Sequence, residues 1–132
     1  MIKEKQSGRY ESEYSEGLLV VRIKGEIDHH GAVAMRKGID EEIFEERPAK
    51  LILDLSAVDF MDSSGLGLIL GRYAAMRDIG GELVVLNPSV GVTRILSLAG
   101  AERIIKIEKV DIEAERQKNK ENKYRGKSRK IR

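Results

Sequence analysis

Phe60-Met61-Asp62-Ser63-Ser64-Gly65-Leu66-Gly67 is the stretch of this chain whose residue types could do chemistry. It sits between two apolar runs, Leu51-Ile52-Leu53-Asp54-Leu55 and Leu68-Ile69-Leu70. That pattern reads as a buried strand that ends and a helix that begins. Two hydroxyls, a carboxylate and two glycines therefore meet at a helix start. Ser63 or Ser64 could serve as the N-cap, worth about 1 kcal/mol. The free amides and dipole of the first turn also favour added negative charge by a few tenths to about 1 kcal/mol. A phosphate on Ser63 would be tolerated by the fold, yet it would put nearly two negative charges beside Asp62. A partner built for a neutral hydroxyl would have to desolvate that dianion. A loss of only about 3 kcal/mol weakens binding more than about a hundredfold. On residue chemistry alone, a switch and an ordinary capped turn both fit.

Other chemistries are weaker. His29 and His30 are adjacent, so on a helix they do not face one site together. Without further His or Cys they do not suggest a metal centre. A serine hydrolase would use Ser63 or Ser64 as nucleophile, His29 or His30 as base and Asp28 or Asp62 as orienting acid. The Gly-x-Ser-x-Gly elbow is missing, because Ser63 follows Met61-Asp62. Gly65 and Gly67 allow close approach of another backbone or a nucleotide. The phosphate-loop pattern Gly-x-x-x-x-Gly-Lys is absent.

The elements that must position this stretch are set by periodicity and punctuation. Residues 1–8 read as a flexible N-terminus, and Arg9 to Tyr14 as a short edge strand. Leu18 to Ile23 reads as a strand ended by Gly25. Asp28 is a candidate cap for a helix through Val33, Ile39, Ile43 and Phe44, stopped by Pro48. Lys50 to Leu55 is the next strand, and its two apolar faces suit a parallel or mixed sheet. A helix from Ser64 to Ile79 ends at Gly80-Gly81. Glu82 to Leu86 is a strand. Ser89 caps a helix that Gly100 ends, and Arg103 to Ile107 is the last strand. The alternation predicts an α/β sheet layered with helices.

Composition narrows the rest. The chain has 132 residues, 41% hydrophobic, which suits one domain with a tail. There is no Cys, so disulfides and thiolate chemistry are ruled out. The first residues lack the apolar core of a signal peptide, and no apolar run reaches bilayer length. A cytoplasmic protein without membrane contact is expected. The net charge of +2 hides an asymmetry. Residues 111–132 hold nine Lys/Arg against four Asp/Glu, and residues 1–110 hold 15 against 18. The body is mildly acidic and only the tail is basic. With aromatics at 5% and no Trp, nucleic acid is not an expected partner. Residues 118–132 are expected to form a disordered, solvated tail.

Asp54-Leu55-Ser56 and Phe60 to Tyr73, with Gly25-Glu26-Ile27-Asp28-His29-His30 and Ile79-Gly80-Gly81-Glu82-Leu83-Val84-Val85, closely resemble the STAS domain family. Within it they look most like the anti-sigma factor antagonists of spore-forming bacteria, in its sporulation branch. The resemblance covers about residues 9 to 109, and the domain is drawn at 9–117. It implies a mixed sheet of four or five strands with helices packed against it. It implies no enzyme but a regulatory protein. Unphosphorylated, such a protein binds an anti-sigma factor that is also a serine kinase, and so releases a sigma factor without touching it. ATP and Mg²⁺ belong to that kinase, and a serine phosphatase reverses the modification. The first serine of the motif, Ser63, is the implied phosphosite. Glu26, Asp28, His29, His30, Asp62, Ser63, Ser64, Gly65, Leu66 and Arg72 are the implied partner-binding residues. A nucleotide-binding STAS signalling module or a stress-response scaffold component is the alternative.

Overall fold

In the computed structural model, residues 2–5 and 10–110 are described, the first four as backbone only. The chain runs as strands β1 (Ile2–Lys5), β2 (Tyr10–Ser15) and β3 (Leu18–Ile27), then helix α1 (His29–Glu46) and strand β4 (Lys50–Met61). Helix α2 (Ser63–Asp78), strand β5 (Glu82–Leu86), helix α3 (Val90–Leu98) and strand β6 (Lys106–Glu108) complete it. The six strands form one sheet in sequence order. The first three are antiparallel, and β3 through β6 are parallel. This is the expected mixed α/β sheet, with one strand beyond the expected four or five.

The added strand is β1, inside the segment read as flexible. Ile2-Lys3-Glu4-Lys5 shows no apolar period, because it is held by backbone pairing with β2 from Glu13 to Tyr10. Thus β2, read as an edge, is an interior strand. Expectations for residues 6–9 and 111–132, including the basic tail, lie outside the described residues.

The parallel register aligns Leu19, Leu51 and Leu83 across three strands, and Val21, Leu53 and Val85 two residues on. All six are buried on one face of the sheet. Met35 and Ile39 of α1, and Leu68, Ile69 and Met76 of α2, cover them. Helix α1 buries Ala32, Met35, Ile39, Glu42 and Ile43. Val33 and Phe44, read as core, are 49% and 77% exposed. The true inner face carries Ala32, Gly38 and Glu42, so its apolar signal is weak. The carboxylate of Glu42 is buried and accepts a hydrogen bond from Ser12 Oγ of β2 at 2.5 Å.

Two strands run farther than the sequence suggested, and both extensions lead to the candidate site. Gly25 does not end β3. With φ +79° it sits at a register shift, and pairing resumes to Ile27 opposite Met61. Similarly β4 continues past Leu55 to Met61, burying Val58 and Met61. The apolar run Ile104-Ile105 is divided differently from the reading. A 3-10 turn spans Ala101–Arg103, Ile105 donates back to Ala101 at 2.9 Å, and β6 starts only at Lys106.

Candidate functional site

The carboxyl ends of β3 and β4 lie side by side, and each strand feeds a helix after one aspartate. Asp28 caps α1, its Oδ1 accepting from Gly31 N at 2.8 Å. Asp62 caps α2, its Oδ1 accepting from Ser64 N at 2.8 Å. Both caps have extended backbone, at φ −102° and −101°. Asp62 N donates to the Ile27 carbonyl at 3.3 Å, which ties the two junctions together. The expected cap at Asp28 is therefore present. At the second junction the cap is Asp62, not Ser63 or Ser64. Asp and Ser cap equally well, so Asp-Ser-Ser leaves the choice open until tertiary position decides it.

With the cap taken by Asp62, Ser63 becomes the first helical residue. It is exposed. Its hydroxyl is not consumed by an N-cap bond, and it stands where backbone amides point outward. Ser64 is half-buried. Asp28, His29, His30 and Glu26 are all exposed around the same junction, and Leu66 is half-buried. The aromatic ring of Phe60, 56% exposed and paired in register with Glu26, stands next to them.

Between the first turns of α1 and α2 lies a groove of about 220 Å³. Its lining is His29, Ala32, Val33, Arg36, Ser64, Gly67 and Leu68. The floor is apolar and the rim carries a guanidinium and an imidazole. Val33 and Arg36 were not read as site residues. The spacing 29, 33, 36 puts both on the face of His29; Val33 was read as core, and Arg36 was given no role. Gly67 faces open space, with nothing within 4 Å of where a Cβ would stand.

Two residues named from the resemblance are not on this surface. Gly65 is buried. A Cβ there would lie 2.7 Å from Met61 Cβ, so this glycine lets α2 start directly against the end of β4. Arg72 is 5% exposed. Its Nε lies 2.9 Å from Asp40 Oδ1, and its Nη2 donates to Asp40 Oδ2 at 3.3 Å. Burial lowers the Arg72 pKa from its ordinary value, and Asp40 opposes that shift. Arg72 joins α2 to α1 and is corrected from a contact residue to an internal brace. It lies two turns into α2, where helix periodicity turns it inward and away from the exposed Ser63.

A family model described as the STAS domain matches residues 9–114. The chain is 41% identical over 97 residues to an anti-sigma F factor antagonist of Paenibacillus polymyxa, covering 74% of this chain and 83% of that protein. Its fold is similar to the structure of the anti-sigma factor antagonist SpoIIAA in its unphosphorylated form. There the TM-score is 0.70 and identity 28%, over 89% of this chain and 96% of that one. It is also similar to the Bacillus cell fate determinant SpoIIAA in the phosphorylated form. That match has TM-score 0.67 and 28% identity, over 83% of this chain and 97% of that one.

Proposed function

The chain belongs to the STAS domain family, and from that premise we propose that it is an anti-sigma factor antagonist with Ser63 as its switch. Unphosphorylated, it binds an anti-sigma factor that is a serine kinase and so frees a sigma factor, regulating transcription during sporulation. It acts as a cytoplasmic binding protein and not as an enzyme. The kinase supplies ATP and Mg²⁺.

The observation that carries this reading is the exposed Ser63 at the first helical position of α2. It stands beside the exposed Asp28, His29 and His30 of the neighbouring helix start. Its hydroxyl is accessible to an outside reagent. In the transfer, Ser63 Oγ forms the new bond to the γ-phosphorus of ATP. The bond from that phosphorus to the β–γ bridging oxygen breaks, ADP leaves, and the hydroxyl proton passes to a base of the kinase. The ester then carries between about 1.5 and 2 negative charges at neutral pH. Half-buried Asp62 and exposed Asp28 are close by in the chain and the sheet, so docking of a surface made for a hydroxyl becomes unfavourable. A serine phosphatase restores the hydroxyl.

Incubation with an anti-sigma kinase and ATP, followed by intact-mass measurement and fragment mapping, tests the reading. One phosphoryl group on Ser63 is expected. Modification of Ser64 instead, or none with any anti-sigma kinase of a sporulating host, would refute it.

A further inference from the structure

The seam between α1 and α2 carries a charge that its own residues leave unbalanced. Along α1, His29, Val33, Arg36 and Asp40 follow one another at helical spacing on one side. Along α2, Ser64, Leu68 and Arg72 do the same. Arg72 takes both carboxylate oxygens of Asp40, through Nε at 2.9 Å and Nη2 at 3.3 Å. Its Nη1 is buried without a hydrogen-bond partner among the described residues. Burial lowers the Arg72 pKa most; Asp40 opposes the shift, and the like charge of Arg36 adds to it. Two guanidiniums thus stand near one carboxylate, and Arg72 holds it.

Arg36 is left over. It is exposed and makes no ion pair among the described residues. Asp40, one turn on, is already engaged, and one turn back stand Ala32 and Val33. Helix α2 has no acid before Asp78. Helix stability does not explain the placement either. The cations Arg36 and Lys37 precede the acids Glu41, Glu45 and Glu46, the reverse of what the dipole of α1 favours. Arg36 lines the groove floored by Ala32, Val33 and Leu68. The groove's volume of about 220 Å³ is below the roughly 300–1,000 Å³ of small-molecule clefts, and it suits one side chain better than a nucleotide. Arg36 lies two turns along α1 from His29, a rise of about 10 Å. A protein surface that docks on Ser63 and His29 therefore extends over the groove.

We propose that this groove receives an aspartate or glutamate side chain of the anti-sigma kinase, with Arg36 as its ion-pair partner. The inference deepens, and rests on, the reading of the protein as an antagonist that binds such a kinase. The occupant's carboxylate meets Arg36 while its methylene stem covers Val33 and Leu68. Docking excludes water from the rim, where a close charge pair gains strength. A surface without an acid at this point would cover Arg36 unpaired, at a cost. Arg36 therefore selects among partners as well as binding one.

The test titrates the unphosphorylated full chain against the kinase that modifies Ser63, by calorimetry at physiological salt. Arg36→Gln should weaken binding about tenfold and Arg36→Glu about a hundredfold, as removal and reversal of a close charge pair do. Arg36→Lys, which keeps the charge, should stay within about threefold. Lys37→Glu makes the same change of net charge on an exposed neighbour outside the groove, and it should also stay within about threefold. Thermal denaturation should find all four variants folded, because both positions are exposed. The acidic surface residues of the kinase are then changed to Lys one at a time. One of them should bring Arg36→Glu back to within about tenfold of native affinity, a coupling that only paired sites show. Native-like binding of Arg36→Glu and Arg36→Gln would overturn the proposal. So would equal losses in Arg36→Glu and Lys37→Glu, which would mean long-range attraction, or a kinase scan in which no change restores binding. In each of these cases the native chain still binds and is phosphorylated, so the earlier reading stands. If no anti-sigma kinase binds or modifies the native chain, that reading falls and this one with it.

Discussion

Esterifying Ser63 alters charge at one atom without altering what holds that atom in place, because the cap belongs to its neighbour. Ser63→Ala should therefore keep the partner's affinity within about twofold and accept no phosphate, giving a permanently active antagonist. Ser63→Asp should lose roughly a hundredfold in affinity, equivalent to about 3 kcal/mol. Its melting temperature should stay near that of the native protein, since an acidic side chain in the first turn suits the helix dipole. Surface plasmon resonance with the kinase, beside thermal denaturation, checks both; native-like affinity of Ser63→Asp would refute charge repulsion. Asp62→Ala behaves oppositely. It removes the bond to Ser64 N and should cost about 1 kcal/mol of stability. At this scale the sequence was informative about which residues gather and less so about their division of labour. Asp-Ser-Ser marks a helix start, but three side chains of equal capping ability do not say which one caps.

Helices α1 and α2 carry the two halves of the site, so whatever fixes them to each other fixes the surface a partner meets. Arg72 and Asp40 form that brace, and they are unequal: the Arg72 side chain is 6% exposed and that of Asp40 44%. Asp40→Ala would strand a buried guanidinium, at about 3 kcal/mol. Arg72→Met fills a similar volume and leaves a carboxylate that water can reach, at about 1 kcal/mol. Urea denaturation should rank Asp40→Ala below Arg72→Met, and the reverse order would refute the brace. The resemblance placed Arg72 among the partner-binding residues, and nothing in its local sequence marks it as one of the few buried arginines. Its partner lies 32 positions away on another helix, a distance over which local patterns say nothing. The same limit shortened β3 and β4. Gly25 and the polar residues after Leu55 look like stops, yet pairing between the two strands carries both of them on to Ile27 and Met61.

Across the whole molecule, consecutive parallel crossovers build the candidate site: β3–α1–β4–α2 brings two capped helix starts to the carboxyl end of the sheet. The alternation of apolar runs made that order legible, since strands and helices of ordinary length leave few topologies. The anchoring on the far side was not legible, because it is polar. Tyr10 of β2 is buried, and its hydroxyl lies where a Cβ on Gly38 of α1 would have to stand. Burial, then Glu42 and Glu41, raises the Tyr10 pKa above its ordinary 10.0. The unfolded chain therefore gives up this proton near pH 10 while the folded protein keeps it. Above that pH the unfolded state binds fewer protons, so stability present at lower pH is lost as pH rises toward the folded value. Denaturant midpoints measured from pH 9 to pH 11 should fall in the native protein, and part of the fall should disappear in Tyr10→Phe, which lacks the ionising hydroxyl. Parallel curves for the two proteins would mean that the phenol does not stay protonated beneath α1, and that the helix is held on the sheet without it.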